Sequence, residues 1–340
     1  MVPSGDGGRG GAEEAGEAGE VLSRAGEAKS LKQVWSRLKP YTRWAILGGT
    51  LFFLAKTLKE HWQEVTAIRI NATGWATLAI ALGVTLLAHI WSGWVWTWIL
   101  QGLNQPVPRS QFIQVYLKTN IAKYLPGNVW HYYGRIMAAK TAGISPSAAT
   151  LSVLLEPLLM AAAALVMAMF ATLASAAHSP VILKGLPMLG LVMVLMGLHP
   201  RFLNLVIHSL GRLKAKATGS SAIESGSFGL VCYPLWPLLG EVGFLGLRST
   251  GFLLTLLALE PLELSQIPLL LRAYSLAWLL GTIVPIPGGL GVFEATALAL
   301  LAQSFSPALV ISASALYRLV SILAEAAGAG LAWLDEHLAI

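Results

Sequence analysis

Arg135, Glu156, Arg272, Glu294, Arg318 and Glu325 stand within or beside long apolar runs, where charge is costly. An ionisable side chain at the centre of a membrane helix costs about 2.5–3.5 kcal/mol, so it faces protein, water or a ligand. In SASALYRLVSILAEAAGAG, Ser314, Arg318, Ser321 and Glu325 recur at steps of four, three and four, which places them on one helix face. Arg318 and Glu325 are two turns apart, beyond the reach of a pair on one helix, so each requires a partner on another element. In ATLSVLLEPLLM, Glu156 precedes Pro157, with Ser152 one turn back. A structural ion pair fits Glu156 as well as a role in binding a proton or a cationic head group. Arginine suits phosphate, because its planar fork matches two oxygens at once.

Two further stretches combine polar residues with a Pro-Gly pair. KYLPGNVWHYYGR, from Lys123 to Arg135, holds Lys123, Asn128, His131 and Arg135 around Pro126-Gly127. VPIPGGLGVFEA, from Val284 to Ala295, holds Pro287, Gly288, Gly289 and Gly291 ahead of Glu294, with Arg272 in the helical stretch before it. Proline fixes φ and lacks an N–H, and glycine accepts positive φ, so Pro126-Gly127 and Pro287-Gly288 fit the central positions of a type II turn. Each turn would join two half-helices, and the restarting helix would offer free N–H groups to an anion such as phosphate. Glu294 in the first turn after the break fits a capping role as well as substrate contact.

The elements that must position these residues are set by composition. The chain has 340 residues, 55% hydrophobic and 12% charged, against about 25% charged in soluble domains. Apolar runs reach the ~20 residues that cross a bilayer. The fold expected is an all-α integral membrane protein with six spans, near 43–58, 73–101, 146–176, 181–198, 228–258 and 306–333. Two re-entrant helical hairpins, near 109–140 and 266–304, complete it. Lys and Arg cluster before the first span, in 102–145 and in 199–217, which places both termini on the cytoplasmic side of the plasma membrane. Each half then reads as two spans, a hairpin and a span, in opposite orientation: an inverted repeat with paired broken helices. Residues 1–28 are a Gly-, Ala- and Glu-rich tail expected to be disordered, without the apolar core of a signal peptide. Residues 29–42 form a basic amphipathic segment for the inner leaflet. The transmembrane domain runs from 43 to 333, and 334–340 is a short tail. Cys232, the single cysteine, is expected to be a buried small hydrophobe. Cys/His metal spacing, a phosphate-binding P-loop and acidic metal motifs are absent, so no metal or cofactor is expected. The net charge of +6 belongs to membrane topology rather than to nucleic acid.

KYLPGNVWHYYGR followed by AGISPSAAT, with PIPGGLGVFEA and YRLVS, resembles the transmembrane region of lysylphosphatidylglycerol synthases, the flippase-like domain family. The resemblance covers roughly residues 40–333 and rests on Pro126, Gly127, Asn128, Gly134 and Arg135, on Pro287, Gly288, Gly289, Gly291 and Glu294, and on Arg318. It implies movement of a phospholipid or lipid-linked head group across the membrane by a transporter rather than an enzyme. In the best-known members a soluble aminoacyl-transferase domain is fused to this region; the 340 residues here hold none. The residues expected at the substrate are Lys123, Asn128, His131, Arg135, Glu156, Arg272, Glu294, Arg318 and Glu325. Two other expectations stand beside this one: a noncatalytic membrane subunit serving a separately encoded synthase or glycosyltransferase, and an intramembrane transferase in a polyprenyl-phosphate glycan pathway.

Overall fold

The computed structural model describes residues 69–124, 129–174, 181–202, 204–205, 230, 232–284, 289 and 291–338, with Phe52, Lys56, Lys59 and Gln63. The tail, the basic segment and nearly all of the first expected span lie outside these residues, as do Pro126, Gly127, Asn128, Pro287 and Gly288.

The principal described helices are α1 (Ala72–Gly102), α2 (Arg109–Asn120), α3 (Trp130–Thr141), α4 (Pro146–Ala174), α5 (Val181–Gly197), α6 (Leu235–Leu257), α7 (Ile267–Ile283), α8 (Val292–Leu301) and α9 (Pro307–Leu338). There is no strand among the described residues. Four helical stretches are long and apolar enough to cross a membrane: Ala72–Gly102, Pro146–Ala174, Leu264–Ile283 and Pro307–Leu338. The chain is therefore an all-helical protein with the composition of a membrane protein.

Local chemistry sets the ends of these helices. The Asn71 side chain accepts from the Gly74 amide at 2.7 Å and caps α1. The fifth expected span starts later than the hydropathy implied, at Leu235 rather than 228, because Pro234 leads into the helix in a non-helical conformation. That corrects the reading of Cys232: it lies in the irregular lead-in and is exposed, not buried. Both stretches expected to break do hold two helices. A short 3₁₀ turn, Ile121–Tyr124, ends the first arm of one, and α3 resumes at Trp130. In the other, Gly289 and Gly291 have φ of 61° and 83°, the left-handed region that favours glycine.

Two of the three apolar clusters among the described residues frame the interior. One joins the start of α4 to α1, α2 and α3 through Trp96, Leu100, Phe112, Ala139 and Val153. The larger one binds α4, α6, α7, α8 and α9, with Leu159, Phe252, Tyr274, Leu298 and Tyr317 at its centre. The helices α1 and α6 share the most extensive helix–helix contact. Glycines make it close: a Cβ on Gly240 would stand 2.6 Å from Val95 Cγ2, and one on Gly251 would stand 2.5 Å from Thr85 Oγ1. Small residues let helices approach where lipid supplies no hydrophobic drive to associate. Gly251→Val is expected to cost about 1–3 kcal/mol through overpacking, read as a lower thermal unfolding midpoint in detergent. Gly246→Ala, where the added Cβ meets open space, is expected to leave that midpoint unchanged.

Candidate functional site

Between the two clusters lies a polar cavity of about 220 Å³. Its floor and walls come from α1, α2, the 3₁₀ turn, α3, α4, α6, α7, α8 and α9, so every described helix except α5 reaches it. Seven of the nine expected substrate residues line it: Lys123, His131, Arg135, Glu156, Glu294, Arg318 and Glu325. Arg272 does not; it sits on α7 away from the cavity. Asn128 lies outside the described residues.

Each carboxylate on the cavity wall is held by a cation from another element. Arg135 on α3 donates through Nη1 to Glu156 Oε2 on α4 at 2.6 Å, with both side chains almost wholly buried. The Tyr116 hydroxyl donates to Glu156 Oε1 at 2.8 Å, so Ser92 Oγ, 2.7 Å from that hydroxyl, donates to Tyr116 in turn. The guanidinium of Arg135 stacks over the Tyr116 ring at 3.6 Å. Glu156 can hold this position because α4 carries Pro157 and still continues: the missing N–H leaves the Val153 carbonyl without its usual helical donor. Gly134 brings α3 against α2, where a Cβ would stand 2.9 Å from Thr119 Cγ2.

The second pair mirrors the first with acid and base exchanged. Arg318 on α9 donates through Nε to Glu294 Oε1 on α8 at 2.6 Å. The other oxygen of Glu294 accepts the Gly291 amide at 2.8 Å. Glu294 thus caps α8 and pairs with arginine at once, and the Gly291 N–H is occupied rather than open to an anion. The third carboxylate, Glu325 on α9, accepts from Lys123 Nζ at 2.6 Å through Oε1. As the spacing required, Arg318 and Glu325 find partners on other elements.

Three ionisable residues that the sequence reading passed over complete the interior. His89 on α1 places Nε2 3.3 Å from Glu325 Oε1 and 3.3 Å from Arg248 Nη1, and places Nδ1 3.4 Å from Asn120 Nδ2. The hydrogen-bond network assigns its tautomer. Asn120 turns its carbonyl to Arg135 Nη2 at 3.5 Å, so its amide group faces His89 Nδ1, which must accept. The neutral ring then carries its hydrogen on Nε2, which donates to Glu325. Arg248 on α6 lines the cavity and donates through Nη1 to Ser321 Oγ at 3.1 Å. Glu241, two turns before Arg248 on the same helix, is fully buried behind the wall, with neither oxygen bonded; nothing in the structure explains it. All three were visible as ionisable residues inside apolar runs, in LLAHIW and in LGEVGFLGLRST. Tyr116 gave no such signal, because an uncharged residue in a mixed helix is unremarkable.

The polar face of α2 that holds Gln114 and Lys118 points elsewhere. Gln114 bonds Asp335, and Lys118 pairs with Glu336 at 2.8 Å, so these residues tie α2 to the end of α9. Among the described residues no cluster of His, Cys, Asp and Glu is suited to a metal.

The cavity can therefore hold a small polar group, with cations and carboxylates at fixed places around it and aromatic rings of Tyr274, Trp278 and Phe293 on one side. No protein-family model matches the chain, and no curated protein shows significant similarity to it.

Proposed function

We propose that this protein is a flippase-like membrane transporter that takes the head group of a phospholipid, or of a lipid-linked phosphate, into the cavity between its two halves. The observation that carries the reading is the order of the elements around the cavity. A long helix, a broken pair and a long helix (α1, α2–α3, α4) are followed after α5 by the same series (α6, α7–α8, α9). In each series the second arm of the broken pair is tied to the next helix by one Arg–Glu contact at the cavity, Arg135 to Glu156 and Glu294 to Arg318. Repeated broken helices meeting at a polar site are the arrangement by which secondary transporters alternate access. On this reading α2–α3 and α7–α8 are the re-entrant hairpins, the full domain holds six spans, and the acyl chains stay in the bilayer.

The resemblance to the flippase-like domains supports the same reading, since the residues that carry it include Arg135, Glu294 and Arg318. Among the described residues, each carboxylate that lines the cavity is bonded to a cation.

The test is lipid translocation by the purified full chain in liposomes, with fluorescent phospholipids and a polyprenyl phosphate, with and without a proton gradient. Movement above that of protein-free liposomes is expected. It should fall at least severalfold in Arg318→Gln protein that keeps its unfolding midpoint. Folded protein that moves none of these lipids would overturn the transporter reading in favour of a membrane subunit that acts through a partner enzyme.

A further inference from the structure

Among the described residues, Arg248 is the cavity-lining cation without a carboxylate partner. Four cations line the cavity, Lys123, Arg135, Arg248 and Arg318, against the three carboxylates Glu156, Glu294 and Glu325. Each carboxylate is already held, by Arg135, Arg318 and Lys123 respectively. One positive charge is left over, and it sits on Arg248.

The hydrogen bonds sharpen this. A guanidinium has five N–H donors and no acceptor. Its Nη1 lies 3.3 Å from His89 Nε2, but the tautomer set by Asn120 puts a hydrogen on that nitrogen, so no acceptor is offered there. Among the described residues, the side-chain acceptors around it are neutral hydroxyls, Ser321 Oγ at 3.1 Å and that of Tyr274, and no carboxylate. Arg248 Nε is buried with no partner. The Tyr317 ring lies 5.1 Å from the guanidinium carbon, and the Tyr317 hydroxyl, bonded to the Arg248 carbonyl at 2.7 Å, fixes the backbone beneath it. The side chain is thus 9% exposed, fixed at its base, and short of acceptors on the wall of a cavity. Two other groups near it are unfilled: Ser314 Oγ, and Glu325 Oε2, an acceptor with no donor.

We infer that Arg248 is the anchor for a phosphate, and that the cavity is built for a phosphodiester head group with one negative charge and hydroxyl groups. The fork of Arg248 takes two phosphate oxygens, a hydroxyl of the head group donates to Glu325 Oε2, and the monoanion cancels the surplus charge. A pyrophosphate would bring excess negative charge, and a cationic head group would meet carboxylates already neutralised. This assignment rests on the proposed lipid-handling role for its source of ligand, but the anion chemistry stands on Arg248 alone.

The experiment titrates the purified full chain in mixed micelles and reads the rise in unfolding midpoint and the apparent Kd. The probes are phosphatidylglycerol, phosphatidylethanolamine, a diglycosyl diacylglycerol without phosphate, soluble glycerophosphoglycerol and inorganic phosphate. Phosphatidylglycerol is expected to bind most tightly, with Arg248→Gln weakening it about tenfold or more and Arg248→Lys, which keeps charge but not the fork, weakening it less. Competition by glycerophosphoglycerol or inorganic phosphate at equal strength would support the anion site while assigning it a soluble phosphate ligand. Equal binding of the phosphate-free glycolipid to the wild-type chain would overturn the proposal, whatever the variants do. So would wild-type affinity in Arg248→Gln. Binding without translocation in liposomes would leave the anchor standing and remove the transporter reading; translocation indifferent to Arg248→Gln would do the reverse.

Discussion

Arg135→Ala is expected to cost about 3–5 kcal/mol of stability, the range seen when one member of a buried ion pair is removed. The reason is what stays behind. Glu156 is 2% exposed and would keep only the neutral Tyr116 hydroxyl as a donor, so a carboxylate would stand in the interior without its cationic partner. The stacking of the guanidinium on Tyr116 is lost as well. Replacing both partners with apolar residues of similar size, as in Arg135→Met with Glu156→Met, is expected to recover most of the loss, because the cost of desolvating two charges disappears with them. Thermal unfolding of the wild type, Arg135→Met, Glu156→Met and the double variant in one detergent closes the cycle. A single Arg135→Ala variant as stable as wild type would mean that the pair is wet, and that the cavity reaches further behind Tyr116 than the structure shows.

Glu294→Ala is expected to cost about 1.5–3 kcal/mol, the worth of a hydrogen bond to a charged group. Two contacts depend on this side chain: the pair with Arg318 and the cap on the Gly291 amide. Gln separates them, since its carbonyl oxygen still accepts from one donor without carrying charge. In Glu294→Gln the first turn of α8 should hold, and hydrogen exchange at Gly291 should stay slow while the midpoint falls modestly. In Glu294→Ala that exchange should accelerate too. Equal exchange rates in the two variants would show that the positive φ at Gly289 and Gly291, not the carboxylate, fixes the restart of the helix.

These effects trace to side chains that were conspicuous in the sequence. A charge in an apolar run announces that something faces it, which is why Lys123, Arg135, Glu156, Glu294, Arg318 and Glu325 stood out in the sequence, and all of them line the cavity. What faces each of them was not legible, because the pairings join elements far apart in the chain: Lys123 to Glu325, His89 to Glu325. The same rule of charge in an apolar run would have picked out His89, Glu241 and Arg248 had it been applied to α1 and α6 as strictly as to α9. Arg272, singled out by the same rule, does not line this cavity. Helix ends followed local chemistry closely where proline or asparagine stood at the boundary. They drifted where hydropathy alone was the guide, as at residues 228–234.

The seam between α1 and α6 has a mechanical consequence. Gly240, Gly243 and Gly251 are spread over three turns, about 16 Å of helix, and each receives a side chain of α1: Val95, Trp91 and Thr85. Trp91 is also latched by its indole N–H to the Gly240 carbonyl at 2.8 Å. Three notches filled along one line resist sliding, because any axial shift drives each tooth against the next backbone turn. They resist tilting far less, since a small rotation about the middle notch moves the outer teeth sideways rather than along the groove. The helices α1 and α6 are thus keyed against sliding along one another.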